Sequence, residues 1–125
     1  DRSACDCWGL VRLVLAERAG IELPSYGIYG ADTAAVGREV VAAKASGRWV
    51  RVERAQAFDV AVLIMPVHSR DGWLFEAVHV GIIAAPDWLL HTERATGAVL
   101  VPLSEGSIAR RLESFWRHAS LADAA

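Results

Sequence analysis

The sequence predicts an α+β fold in which N-terminal helices pack on an antiparallel β-sheet. Two observations favour this class. Up to about residue 47 the apolar side chains recur at helical spacing, and beyond that point they alternate as in strands. Runs of helices followed by runs of strands are typical of α+β domains. The 125 residues are enough for one compact domain, so we predict a single domain over 1–125.

The first helix is predicted to begin at a cap formed by Ser3 or Asp6 and to run to about Arg18. Gly20 follows at the position where glycine commonly ends a helix. The residues at helical spacing predict which face of this helix is buried, and they are Leu10, Val11, Val14 and Leu15.

A second helix is predicted over Thr33–Ala45, capped by Asp32 and closed by Gly47. Between the helices, the segment Ile21–Gly30 carries proline and glycine residues that interrupt regular structure. We therefore expect an irregular connection there.

The rest of the chain predicts a sheet whose clearest strand is Ala77–Ala84. A turn at Pro86 and Asp87 joins that strand to Trp88–Thr92 and predicts a hairpin. The other predicted elements are strands at Trp49–Val52, Val60–Met65, Ala98–Val101 and Ser114–His118, a polar turn at Pro66–Gly72, and a short helix at Ser104–Leu112.

Composition and charge exclude several classes of protein. The chain is 54% hydrophobic, so a core can form, and its net charge of −2 does not suggest the basic patch of a nucleic-acid binder. The longest apolar runs, such as Val60–Met65, are far shorter than the about 20 residues of a membrane span. The chain begins with Asp1 rather than Met, which indicates a processed chain or a fragment.

Cys7 is the candidate nucleophile. It lies in the first turn of the predicted first helix, where unpaired backbone N–H groups favour the thiolate. The alternative is a small buried apolar residue. Cys5 precedes the helix and lacks this stabilisation, and a disulfide between residues two apart would be badly strained. We interpret Cys5 as structural or incidental.

His79 and His91 are the candidate base and its orienting partner. A cysteine nucleophile needs a base within hydrogen-bond reach, and that base needs a third group to hold it. In a hairpin centred near Ala85, the two histidines would lie opposite each other across the strands. The alternative for each is an ordinary core or surface histidine. His68 and His118 are interpreted as surface residues.

A zinc site is the alternative role for the cysteine and histidine side chains. Cys5, Cys7, His79 and His91 would make a set of two cysteines and two histidines. However, structural zinc sites usually separate the cysteines by two to four residues, and here only one residue lies between them. The sequence therefore predicts no metal site.

Six segments of the chain, in the same order, resemble motifs of NlpC-type peptidases, which are papain-like enzymes that cut cell-wall peptides. The His79 segment resembles the motif of the base, and His91 matches the position of the third residue. Phe58 replaces a glycine that is usual in the family. The segments are Asp6–Arg12 around the nucleophile, Ala19–Tyr26, Phe58–Leu63, His79–Ile82, Leu89–His91 and Ser114–His118.

The resemblance implies a cysteine peptidase that hydrolyses peptidoglycan stem peptides, with the D-γ-glutamyl-diaminopimelate bond as its target. It implies Cys7 as nucleophile, His79 as base and His91 as orienter, no cofactor, and substrate contacts at Trp8 and Tyr26. Trp8 and the segment Leu23–Tyr26 most resemble the branch of the family found in phage tails and gene-transfer particles. The expected place of action is the bacterial cell wall or periplasm, in a virion-like particle with tail proteins as partners.

The family usually carries a segment before the nucleophile, with an aromatic residue that lines the site, and only six residues precede Cys7 here. This departure supports an alternative from another class, a non-catalytic structural or wall-docking module of a phage-tail-like particle. A related acyltransferase or amidase with the same three residues is a third possibility.

Overall fold

The protein folds as a mixed α+β structure with one antiparallel sheet, described from a computed structural model over residues 7–24, 33–68, 74–93 and 97–122. In these ranges the helices are α1 (Cys7–Ala19), α2 (Thr33–Ala45), α3 (Gly106–Arg111) and α4 (Ala119–Ala122). The strands are β1 (Trp49–Val52), β2 (Val60–His68), β3 (Leu74–Ala85), β4 (Trp88–Glu93), β5 (Gly97–Pro102) and β6 (Leu112–His118).

The six strands form one sheet in the order β1-β6-β2-β3-β4-β5, and every neighbouring pair is antiparallel. The three strands β2, β3 and β4 follow one another in sequence and in space. The last strand, β6, inserts between β1 and β2. This topology puts β2 and β3 in the middle of the sheet, where both of its faces can be covered.

The two faces of the sheet carry separate apolar clusters because side chains alternate along each strand. The helical face packs on α1 and α2, and its buried residues are Val11, Leu15, Val36, Val60, Val62, Val80 and Ile82. The α3 face packs on the short third helix, and its buried residues are Ala61, Leu63, Ile83, Leu89 and Ile108.

The segment after α1 is fastened to that helix by three hydrogen bonds. The Ile21 N–H donates to the Leu15 carbonyl at 3.0 Å, and Arg12 Nε donates to the Leu23 carbonyl at 2.9 Å. Trp8 Nε1 donates to the Pro24 carbonyl at 3.0 Å. Gly20 turns the chain with a φ of 69°, the left-handed conformation that glycine adopts without strain.

A buried ion pair joins the start of β2 to β6. Asp59 is fully buried, and its two carboxylate oxygens each accept a hydrogen bond of 2.8 Å from the Arg117 guanidinium. The Gln56 N–H also donates to the Asp59 carboxylate, at 2.7 Å. The hydrogen bonds with Asp59 raise the pKa of the Arg117 guanidinium. Phe58, just before it, has a φ of 77°.

The predicted helices and strands agree with the structure except at their ends. The predicted turn at Pro66–Gly72 is the largest difference, because β2 continues through Pro66 to His68 and β3 begins at Leu74. Pro66 is tolerated in the strand because β2 pairs with β6 only as far as Leu63, so that side needs no N–H there. His68, predicted in that turn, is the last residue of β2.

The C-terminal elements differ by a few residues. The helix predicted over Ser104–Leu112 spans only Gly106–Arg111 in the structure. Glu105 caps it by accepting from the Ser107 and Ile108 N–H groups. The last strand begins at Leu112, and α4 was not predicted. Ser3, Asp6 and Asp32, the predicted caps of α1 and α2, lie outside the described residues.

No helix in the described ranges is long and apolar enough to cross a membrane.

We expect Arg117→Met to lower the free energy of unfolding by about 3–5 kcal/mol, because it leaves the Asp59 carboxylate charged and unpaired in the interior. Urea denaturation of the purified proteins measures this change. Arg38→Met, on the exposed side of α2, is the matched control and should change stability by less than about 0.5 kcal/mol. Similar losses in both variants would contradict the role assigned to the pair.

Candidate active site

The central feature of the site is a contact between two imidazoles. His79 lies in β3 and His91 in β4, and His79 Nε2 is 3.1 Å from His91 Nδ1. The rings meet edge to face at 77°, with centroids 5.3 Å apart. One ring nitrogen of each histidine is therefore used in holding the other, and one proton lies between them.

The pairing of β3 with β4 differs from the predicted hairpin register. His79 and His91 were expected directly opposite each other, and that expectation was wrong by two residues. The turn is centred between Pro86 and Asp87 rather than at Ala85, and a register shift follows it. Continued along the strands, the register puts Gly81 beside His91, so the two rings meet diagonally.

Gly81 allows this diagonal contact. A Cβ atom at Gly81 would lie 3.0 Å from the His91 Cβ, 2.8 Å from Leu89 Cδ1 and 3.0 Å from the Leu90 carbonyl oxygen. Such distances leave no room for a side chain. Because Gly81 has no side chain, the imidazole of His79 can approach that of His91 across the two strands.

Burial keeps both imidazoles neutral at ordinary pH. Burial, with a smaller contribution from the neighbouring His91, lowers the pKa of His79 to about 4. Burial also lowers the pKa of His91, and the carboxylates of Glu93 and Glu105 oppose that shift. A neutral imidazole has one lone pair for accepting a proton. With Nε2 directed at His91, the nitrogen of His79 suited to that task is Nδ1.

The imidazole pair opens into a cavity of about 550 Å³ on the α3 face. Leu63 and Ile108 form its apolar part, and both belong to the cluster of that face. The full lining consists of Leu63, His79, His91, Thr92, Glu93, Val101, Glu105, Ser107, Ile108 and Arg111. A cavity of this size could take a side chain or a short piece of a peptide.

Cys7 packs against the helical face of the sheet. It is the first residue of α1 and is half-buried. His79 is paired with Leu63 across β2 and β3, and alternates with Val80, which puts it on the α3 face. The structure thus brings His79 and His91 together, and Cys7 packs with a different set of residues.

Trp8 is also on the helical face. It packs against the same cluster and, with Trp49 and Trp116, lines a small apolar groove beside α2. Tyr26, the other residue expected to contact substrate, lies outside the described residues, as does Cys5. The roles of Cys7, Trp8 and Tyr26 remain predictions.

Five polar residues of the cavity were missed by sequence reasoning, namely Thr92, Glu93, Glu105, Ser107 and Arg111. Glu93 could have been found, because it follows His91 by two residues in the same strand and so shares its face. Glu105 caps α3, and Ser107 and Arg111 lie within it, and no local pattern indicates the position of this helix against the sheet.

No protein-family model matches this chain, and no curated protein is significantly similar to it.

Within the described ranges no group of three or more histidine, cysteine, aspartate or glutamate residues is arranged to hold a metal ion.

We expect Gly81→Ala to separate the two imidazoles and to destabilise the protein by about 1–3 kcal/mol, because the new methyl group would press on β4. Urea denaturation measures the stability, and the ring signals of the two histidines in NMR spectra report their separation.

Gly37→Ala is the matched control for this variant. Its Cβ would meet Val78 Cγ2 at 3.5 Å, an ordinary contact, and alanine in the interior of α2 should stabilise by up to about 1 kcal/mol. The explanation of Gly81 fails if both alanine variants are equally stable and Gly81→Ala leaves the histidine signals unchanged.

Proposed function

We propose that this protein is a cysteine peptidase that hydrolyses peptidoglycan stem peptides, with Cys7 as nucleophile, His79 as base and His91 as the residue that orients the base. The observation that carries the proposal is the bond of 3.1 Å between His79 Nε2 and His91 Nδ1. It fixes the plane of a neutral imidazole and leaves Nδ1 as the proton acceptor.

Burial suits His79 to this role. A base must be unprotonated when the substrate binds, and the low pKa of His79 ensures that at neutral pH. A thiolate within hydrogen-bond distance would raise that pKa, since it stabilises the imidazolium. Proton transfer from Cys7 to His79 Nδ1 would thus become easier as the thiol approaches the ring.

Cys7 has the position that an activated thiol needs. It begins α1, a helix of 13 residues, so the partial positive charge of the helix N-terminus favours its thiolate. In the proposed reaction His79 takes the thiol proton and the sulfur attacks the peptide carbonyl carbon. His79 then returns the proton to the leaving amine, and water, deprotonated by His79, releases the acyl group and restores the thiol.

Two features of the structure support the family resemblance from which the substrate is inferred. Phe58 has a φ of 77°, a conformation that favours glycine, and glycine is the usual residue of the family at that position. The segments containing Asp59 and Arg117 both resemble family motifs, and these two residues form the buried ion pair. The D-γ-glutamyl-diaminopimelate bond and a place in a phage-tail-like particle rest on this resemblance alone.

The second candidate is a non-catalytic structural or wall-docking module. One observation favours it: Cys7 packs on the helical face, whereas the imidazole pair opens into the cavity of the α3 face. Peptidase chemistry requires the sulfur within about 3–4 Å of His79 Nδ1 when substrate is bound, and catalytic contacts can be longer in the unbound state. The two candidates therefore differ in whether Cys7 reacts with His79 as its partner.

Alkylation by iodoacetamide at a series of pH values distinguishes these candidates. If the peptidase proposal holds, Cys7 should be labelled rapidly well below the ordinary thiol pKa of about 8.5, because the helix N-terminus and His79 both stabilise its thiolate. His79→Gln should shift this profile toward that of an ordinary thiol. Mass spectrometry separates Cys7 from Cys5, which serves as the internal control. The docking module would be favoured if the alkylation rate of Cys7 followed the pH profile of an ordinary thiol and His79→Gln left that profile unchanged.

Digestion of purified peptidoglycan tests the assigned roles. We expect Cys7→Ala to abolish release of stem-peptide fragments, and Cys5→Ala to retain most of it. His79→Ala should cost about 10²–10⁴-fold in rate, the usual contribution of a general base. His91→Ala should cost less, because orientation contributes less than proton transfer. Full activity of Cys7→Ala, or a greater loss at His91 than at His79, would contradict the mechanism.

A further inference from the structure

We propose that Glu93 is a positioning residue that sets the tautomers of both imidazoles, so that the lone pair of His79 lies on Nδ1. Its catalytic consequence rests on the proposed function, whereas the tautomers themselves do not. Nothing in the sequence motifs assigned a role to Glu93.

The observation behind the proposal is an unsatisfied nitrogen. His91 is 6% exposed, and in the described part of the chain its Nε2 is buried without a hydrogen-bond partner. The Oε2 atom of Glu93 lies 3.7 Å from that nitrogen. A buried polar atom of this kind costs about 1–3 kcal/mol unless a partner approaches it.

The two neutral tautomers of His91 differ in how they meet this carboxylate. If Nδ1 carries the proton, Nε2 presents a lone pair to the Glu93 carboxylate, which can only accept hydrogen bonds, and the two groups repel each other. If Nε2 carries the proton, its N–H points toward the carboxylate and is attracted to it. The carboxylate of Glu93 therefore favours the Nε2–H tautomer of His91.

This choice is passed on to His79. With its proton on Nε2, His91 has a lone pair on Nδ1, the atom 3.1 Å from His79 Nε2. That contact is a hydrogen bond only if His79 Nε2 donates. A neutral His79 that donates from Nε2 has its lone pair on Nδ1. Glu93 thus determines which nitrogen of His79 can act as a base.

The other charged groups around the cavity are placed differently. Glu105 also opposes the lowering of the His91 pKa, but its Oε1 accepts from the backbone of Ser107 and Ile108 as the cap of α3. Arg111 lines the cavity and carries no acceptor. The carboxylate of Glu93, by contrast, lies 3.7 Å from His91 Nε2.

The strand geometry allows Glu93 to approach further. It lies two residues after His91 in β4, so both side chains leave the same face of the sheet. Its side chain is 50% exposed. A rotation of the carboxylate toward His91 would shorten the 3.7 Å separation to a hydrogen bond.

The test is ¹⁵N NMR of the protein with labelled histidine at about pH 7.5, where long-range couplings identify the protonated nitrogen of each ring. His68→Gln and His118→Gln assign the remaining two rings, since the chain has four histidines. We expect both His79 and His91 to be protonated on Nε2 in the unmodified protein. This first measurement needs no variant that could fail to fold.

Variants at Glu93 complete the test. Glu93→Met removes the acceptor and should give mixed tautomers at both rings, with roughly 10-fold or greater loss of peptidoglycan hydrolysis. Glu93→Gln keeps an acceptor oxygen without charge and should retain much of the Nε2–H tautomer. Glu105→Gln and Glu53→Gln are controls for loss of a negative charge near the site and far from it, and both should keep the tautomers.

A proton on Nδ1 of His91 in the unmodified protein, or unchanged tautomers in Glu93→Met, would overturn the proposal. The expected tautomers together with full hydrolysis in Cys7→Ala would leave the role of Glu93 standing and refute the peptidase instead. The two failures are therefore distinguishable.

Discussion

The close approach of β3 and β4 at Gly81 is the constraint on which the candidate site depends. Because no side chain stands at Gly81, the His91 Cβ can lie within 3.0 Å of the point where a Gly81 Cβ would be. The ring of His91 then reaches His79 diagonally, with His91 buried and His79 partly buried. Burial in turn lowers the pKa of each ring. The lack of a side chain at Gly81 thus permits the strand pairing that buries the two imidazoles and keeps His79 neutral.

The protein buries polar groups in two different ways, and the difference separates stability from chemistry. The buried Asp59 carboxylate pairs with the partly buried Arg117 guanidinium, and three hydrogen bonds of 2.7–2.8 Å satisfy the carboxylate. His79 is partly buried and His91 fully buried, with one hydrogen bond between them and one nitrogen unsatisfied. The Asp59 carboxylate already accepts hydrogen bonds on both oxygens, whereas the histidines keep a lone pair that can accept a proton.

Much of this arrangement could be predicted from the sequence. The helical spacing around Val11 and the glycine after α1 predicted the end of the first helix to within a residue, and strand alternation predicted the hairpin that carries both histidines. The register could not be predicted, because it depends on where the turn centres and on a shift that follows it. Nor could the cavity, since Ile108 and Arg111 reach it only through the packing of α3 on the sheet. Local patterns fix elements, and contacts between distant elements complete the site.

The position of Cys7 decides how the parts work together. The helix N-terminus that would activate the thiol lies on the helical face, while the imidazole pair is buried on the α3 face. The two candidate functions therefore differ in what they require of Cys7. Peptidase chemistry requires its sulfur to reach the Nδ1 atom of His79, and a docking module requires no contact between these two atoms.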